Sequence, residues 1–272
     1  MQRLGLRAAR GLGQHFLLDS GVLDVVVSAA ELRPEDVVVE VGPGLGILTS
    51  VLVKRVERVV AVEVDPRLAD ALRLRFADAR RLTLVNADIL DLDTARLLAD
   101  NGKGAATAYK VVANLPYYVG SAVIRHFLES SRRPGLMVVM VQKEVAESIA
   151  AGPGEMSILG VSVQLYARPT VVTFVRAESF YPRPKVDSAV LRLDVYQQPA
   201  LELEDRAAFF EVVRAGFSAP RKQLRNSLAV GLRRPAAEFA DLLEEIGIDP
   251  HRRPETLSLQ EWGRLYRTFS RV

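Results

Sequence analysis

The chain has 272 residues, 49% of them hydrophobic, with no cysteine and a formal net charge of +3. That is enough apolar material for a full core, at a length that suits one large and one small domain, and the lack of cysteine excludes disulfides and thiolate metal sites. No apolar run approaches the roughly 18–20 residues of a membrane span, and the opening residues MQRLGLRAARGLGQHF carry no apolar signal core, so a cytoplasmic chain without a membrane partner is expected.

The first apolar runs, 37–41 and 59–64, are each followed by a Gly- or Pro-marked turn and a helix-like stretch, the alternation of a βαβ unit. Between them lies Glu40-Val41-Gly42-Pro43-Gly44-Leu45-Gly46. Glycines at the carboxyl end of a strand let a nucleotide-like ligand approach the backbone. The spacing G-x-G-x-G fits the dinucleotide fingerprint poorly. The second run still ends in an acid, Glu63, which can accept both hydroxyls of a ribose; a solvated strand-end acid is the plainer reading. Thr49 and Ser50 sit too deep in the next helix to complete a Walker loop, and no G-K-[ST] is present, which argues against phosphoryl transfer.

Further buried strands are expected at 82–85, 111–113 and 136–141, with helices at 66–77, 120–131 and 143–151, giving an α/β, mostly parallel, doubly wound sheet. After the third strand, Asp88 is placed to accept from an adenine amino group or to cap the helix that follows, and Val64 and Ile89 can wall the ring. After the fourth comes Asn114-Leu115-Pro116-Tyr117. By itself this tetrapeptide is equally well a turn. Its chemistry suits methylation of an exocyclic amine on a base: the Asn oxygen and a neighbouring carbonyl accept the two N–H bonds, Pro116 stiffens the corner, and the Tyr117 ring offers a π face to the base and to charge developing on nitrogen.

Two alternating stretches, 161–175 and 189–195, read as a late antiparallel edge, separated by the Pro-rich FYPRPK. Beyond 197 the periodicity is helical over 205–217, 221–231, 235–246 and 258–270, so the expected domains are 1–197, α/β, and 198–272, small and all-helical. Segment 212–237 carries Arg214, Arg221, Lys222, Arg225, Arg233 and Arg234 with no acid, and the first residues carry Arg3, Arg7 and Arg10. Arg221, Lys222 and Arg225 are spaced to share a helix face.

Seven segments in this order resemble the KsgA family of S-adenosylmethionine-dependent rRNA adenine dimethyltransferases, over nearly the whole chain. They are GQHFLLD (13–19), VVVEVGPGLGILT (37–49), NADIL (86–90), NLPY (114–117), FYPRPKVDSAV (180–190), FSAPRKQLRNSL (217–228) and RRPETLSLQEW (252–262). The resemblance implies a Rossmann-like methyltransferase sheet with a helical RNA-binding domain. It further implies that Gln14, His15 and Leu17 close over the methionine end of S-adenosylmethionine, that Gly42 and Gly44 approach it from below, and that Glu63 binds ribose and Asp88 adenine. Asn114 spans cofactor and substrate within the catalytic Asn114, Leu115, Pro116 and Tyr117, with Phe180 as a second stacking ring or a core aromatic.

The implied substrate is a pair of adjacent adenosines in a loop near the 3′ end of 16S rRNA in the small subunit, each methylated twice by a monomer, with Arg221, Lys222 and Arg225 on RNA phosphates. No metal is called for, and His126 and His251 read as structural or surface histidines. The chain departs from the family at His15, where Asn is usual, at Pro220, where a basic residue is common, and at Tyr118-Val119-Gly120 for Asn-Ile-Ser. A large-subunit rRNA adenine methyltransferase of the erythromycin-resistance type shares the first domain. A non-catalytic ribosome-assembly factor on the same scaffold is the reading from another class.

Overall fold

The computed structural model describes residues 14–101 and 108–269. Arg3, Arg7 and Arg10 lie outside them. The chain divides into two compact units, residues 1–147 with 167–197, and residues 148–166 with 198–272.

The first unit is built on a seven-stranded sheet of β2 (Val37–Val41), β3 (Arg58–Glu63), β4 (Leu82–Asn86), β5 (Tyr109–Asn114), β6 (Leu136–Gln142), β7 (Ala167–Val175) and β9 (Ser188–Val195), in the order β4-β3-β2-β5-β6-β9-β7. The first five of these positions pair in parallel, and β9 and β7 close the edge antiparallel. Parallel strands need both faces covered. Accordingly β2 is buried at every residue and β3 at all but its first. The strand order reverses between β2 and β5, the crevice where open α/β sheets bind ligands. A separate two-stranded sheet pairs β1 (Phe16–Leu17) with β8 (Phe180–Tyr181).

The helices α1 (Ser20–Ala29), α2 (Ile47–Arg55), α3 (Pro66–Arg75) and α5 (Gly120–Glu129) connect these strands. Their starts follow local chemistry. Asp19 caps α1 by accepting from the Gly21 and Val22 amides, and Asp65 caps α3 ahead of Pro66 at its first turn, the placement expected of an acid cap and a residue without an N–H.

One sequence expectation is corrected here. Residues 161–175 are not one strand: Ile158–Gln164 form α7, and β7 begins only at Ala167. Ser157 caps α7 by accepting from the Gly160 amide at 2.9 Å. Gly160, Val161, Ser162 and Val163 are all buried, so burial on every side hid the helical period. The single boundary at 197 shifts for the same reason, because 148–166 belongs with the second unit. Its bonds explain why. The Gly154 and Met156 amides donate to the Glu255 carbonyl at 2.8 and 3.0 Å, and the Ala200 amide donates to the Leu165 carbonyl at 2.8 Å.

The second unit contains α8 (Arg206–Gly216), α9 (Leu224–Leu232), α10 (Ala236–Glu245) and α11 (Leu259–Phe269), with Trp262 of α11 fully buried against Gly216 of α8. Two glycines allow this closeness. A Cβ on Gly216 would stand 2.4 Å from the Trp262 ring, and one on Gly231 2.4 Å from the Ala215 backbone. The RRPETLSLQEW segment starts α11. Ser258 and Glu261 form a reciprocal cap, the Ser258 amide donating to Glu261 at 2.8 Å and the Glu261 amide to the Ser258 hydroxyl at 3.2 Å. Arg252 braces the pair by donating to Glu261 through two guanidinium nitrogens, at 2.5 and 3.3 Å.

Candidate active site

The carboxyl ends of β2, β3, β4 and β5 open onto one solvent-accessible cavity. Eleven of the twelve catalytic and cofactor residues expected from sequence line it, from Gln14, His15 and Leu17 through Gly42, Gly44, Glu63 and Asp88 to the tetrapeptide 114–117. Val64 and Ile89 also line it.

The floor is the loop after β2, with Gly42, Gly44 and Gly46 at φ of 65°, 57° and 75°. Such angles strain any residue with a Cβ, and here a Cβ on Gly44 would also stand 3.0 Å from the Phe16 ring. Glu63 ties this loop to the end of its own strand. One carboxylate oxygen accepts from the Gly44 amide at 3.1 Å and the other from the Asp65 amide at 3.0 Å. Each oxygen retains a further lone pair for a ligand hydroxyl. Burial pushes the Glu63 carboxyl above its ordinary value, against the pull of those amides. Asp88 caps the short turn after β4 through one oxygen, which accepts from the Leu90 amide at 2.9 Å, while its other oxygen is left for a ligand. The capping and ligand readings of Asp88 are therefore compatible.

At the end of β5 the catalytic tetrapeptide is held from several sides. The Asn114 side-chain nitrogen donates to the His15 carbonyl at 3.1 Å. Because a carbonyl only accepts, the amide must present its nitrogen there, which frees its oxygen to receive a donor. The Leu115 amide donates to the Met140 carbonyl at 3.1 Å, and the Val119 amide to the Pro116 carbonyl at 3.1 Å. Tyr117 is anchored at its tip, where its hydroxyl meets the Ser188 hydroxyl at 2.5 Å, and its ring lies 5.1 Å from the His15 imidazole at a 33° tilt. Burial raises the Tyr117 hydroxyl above its ordinary pKa.

Phe180 is the residue the structure does not bring to the cavity. It is 3% exposed and packs in the hydrophobic core with Leu17, Val26 and Val190. Its register partner Leu17 belongs to the same core cluster, so of the two readings offered for Phe180 the structure shows the core aromatic. The basic residues are corrected in part. Arg221 and Lys222 precede α9 in an exposed turn, and only Arg225 is helical. Pro220 and the Ala219–Lys222 turn delay the helix start, so the three cations share a helix end rather than one face. None of them has an ion pair among the described residues.

Sequence reasoning passed over Glu40. It is 1% exposed in the middle of β2, lines the cavity, and one carboxylate oxygen has no hydrogen-bond partner among the described residues. Burial, with Glu63 nearby, pushes its pKa up to about 8. The signal was visible, since an ionisable residue inside an apolar strand is costly unless it meets a partner. Tyr118, where the chain departs from the family pattern, is 57% exposed and also lines the cavity.

These features fit S-adenosylmethionine. A glycine cradle admits its backbone approach, Glu63 and Asp88 offer acceptors to ribose and adenine, and the unpartnered Glu40 oxygen suits an ammonium. Among the described residues there is no cluster of side chains able to hold a metal ion, and no helix long and apolar enough to cross a membrane.

Residues 5–270 match the family model described as ribosomal RNA adenine dimethylase. A ribosomal RNA small subunit methyltransferase A of Dehalococcoides mccartyi is 47% identical, covering 97% of this chain and 89% of that protein. One of the same name from Pelotomaculum thermopropionicum is 42% identical over 99% of this chain and 94% of the relative. Among solved structures, the 23S rRNA methyltransferase ErmE superposes with a TM-score of 0.72 at 29% identity, covering 94% and 99% of the two chains. A dimethyladenosine transferase from Plasmodium falciparum superposes with a TM-score of 0.78 at 24% identity, covering 94% and 98%, a likeness of fold.

Proposed function

Because the chain belongs to the ribosomal RNA adenine dimethylase family, we propose that it dimethylates N6 of two adjacent adenosines in a loop near the 3′ end of 16S rRNA, using S-adenosylmethionine, as a step of ribosome biogenesis. The observation that carries this reading is the Asn114 corner, whose amide nitrogen is committed to the His15 carbonyl so that its oxygen is left to accept from a substrate amine.

The cofactor supplies an electrophilic methyl group on a sulfonium. Everything else falls to the chain. Glu63 and Asp88 hold the ribose and adenine of the cofactor, and Gly42 and Gly44 let it lie against the backbone. The target adenosine leaves its stack at a cost of a few kcal/mol, least in a loop, and the Tyr117 face offsets about 1–3 kcal/mol of that by stacking. With Phe180 buried, Tyr117 alone supplies the aromatic face assigned here. The Asn114 oxygen and a neighbouring main-chain carbonyl accept the N6 hydrogens and draw the lone pair out of ring conjugation. Positioning and fixed dipoles therefore do most of the work. The proton leaves after attack, so no strong base is required.

Arg221, Lys222 and Arg225 bind RNA phosphates, setting register without reading sequence. Identity favours the small subunit, since the small-subunit relatives reach 47% where the 23S rRNA enzyme stands at 29%. A complete Asn114, Glu63 and Asp88 set argues against a factor that has lost its chemistry. We take the enzyme to act in the cytoplasm as a monomer. Labelled S-adenosylmethionine offered with unmethylated small subunits and, separately, unmethylated large-subunit RNA tests the proposal. Label in dimethyladenosine of the small subunit is expected; label confined to large-subunit RNA would refute it.

A further inference from the structure

His15 stands immediately before β1, whose register pairs Phe16 with Tyr181 and Leu17 with Phe180. The next pair in an antiparallel ladder would be His15 with Pro182, but proline has no N–H to offer. The imidazole instead bonds this position through the proline carbonyl. Its Nδ1 lies 2.6 Å from the Pro182 carbonyl oxygen, and since the carbonyl only accepts, Nδ1 carries the proton. The same residue touches both reacting-site side chains of the tetrapeptide, through its backbone carbonyl to Asn114 at 3.1 Å and through its ring to Tyr117 at 5.1 Å. Its Nδ1 and its carbonyl are therefore already engaged by the protein.

We propose that His15 is a positioning residue for methyl transfer, a latch that joins the β1 strap to the 181–187 loop and thereby fixes the Tyr117 ring and the Asn114 amide in the geometry the amine needs. This rests on the function proposed above. It assigns the side chain to the substrate corner rather than to the methionine end of the cofactor, the role the resemblance implied. Ser188, which anchors the Tyr117 hydroxyl, follows the same loop, so the ring is held at its tip from one end of the loop and flanked by His15 bonded to the other.

Three histidines in the chain make the tautomer accessible by long-range 1H–15N NMR, with His15→Phe identifying the His15 signals. A protonated Nδ1 in the wild-type protein is expected; an unprotonated Nδ1 overturns the latch. In transfer assays at saturating small subunits, His15→Phe keeps a ring beside Tyr117 but loses the donor, and its kcat should fall about tenfold or more, as small misplacements of a reacting group do. S-adenosylhomocysteine affinity by calorimetry should hold. His15→Gln, with a side-chain amide donor, should recover much of the loss, which a merely structural defect would not allow. Weakened S-adenosylhomocysteine binding with kcat intact would instead make His15 a cofactor ligand and sink the proposal. Should the wild type transfer no methyl group, the proposed function falls, while the tautomer and affinity measurements still decide the latch.

Discussion

The reaction corner and the basic turn before α9 use polar side chains in opposite ways. At the corner each polar group is partly spent on the protein itself: Asn114 on His15, Tyr117 on Ser188, and both Glu63 oxygens on backbone amides. At the turn, Arg221, Lys222 and Arg225 have no ion pair among the described residues. Transfer between two bound molecules is sensitive to misplacement on the scale of about 1 Å, so its groups are fixed beforehand. Holding a polyanion draws on released counterions, which needs cations free to move onto phosphates. Polar side chains thus serve as fixed geometry in one region and as mobile charge in the other.

Breaking the corner should give the largest effect. Asn114→Ala removes the amine acceptor, and transfer should drop by roughly 10²–10³-fold or more, the scale of losing a preorganised polar group at a reacting centre, with RNA affinity by filter binding nearly unchanged. Glu40 sharpens the corner's cost. Its carboxyl is raised to about 8 in the fold, so folding favours the protonated form and wild-type stability should decline as pH rises from about 4.5 to 8. Glu40→Gln should lessen that decline in denaturant titrations, leaving the part due to the raised Glu63, and be more stable above pH 8 by up to a few kcal/mol; a variant profile that declines as steeply as the wild type would contradict the assignment.

In the second unit, Arg252→Met leaves Glu261 without its guanidinium brace. Burial opposes ionisation of Glu261, yet the bonds from Arg252 and Ser258 outweigh it and lower the carboxyl to about 2. The stabilisation it gives is present above about pH 4.5 and lost as pH falls toward 2. The variant should lose about 1–3 kcal/mol at pH 7, with less further loss on acidification; equal acid sensitivity would count against the brace. The smallest expected effect is at the basic turn. Arg221→Ala with Arg225→Ala should weaken RNA binding and reduce the slope of log affinity against log salt by about 1.4–1.8. An unchanged slope would mean that these cations do not meet phosphate.

Much of this was legible in the sequence because it lies where a strand ends. Gly42, Glu63, Asp88 and Asn114 each follow a short apolar run, and successive parallel strands bring such positions to one crevice. The sheet itself was readable for the same reason, apart from α7, whose all-round burial masked its period. Phe180 carried two readings because an aromatic in a motif gives no sign of which way its strand faces, and its burial in the core selects between them. Arg221 and Lys222 were set on a helix because spacing was weighed above Pro220. Glu40 was legible as an acid inside an apolar strand but was passed over, whereas the His15–Pro182 bond spans 167 residues of chain and no local pattern encodes it.

The central claim is that geometry and RNA grip are separate, and single-turnover methyl transfer at saturating small subunits tests it most directly. The account predicts that Asn114→Ala stays essentially inactive at saturation, while Arg221→Ala with Arg225→Ala recovers the wild-type rate once enough substrate is supplied. Recovery by the Asn114 variant at saturation, or a lasting rate defect in the arginine variant, would contradict it.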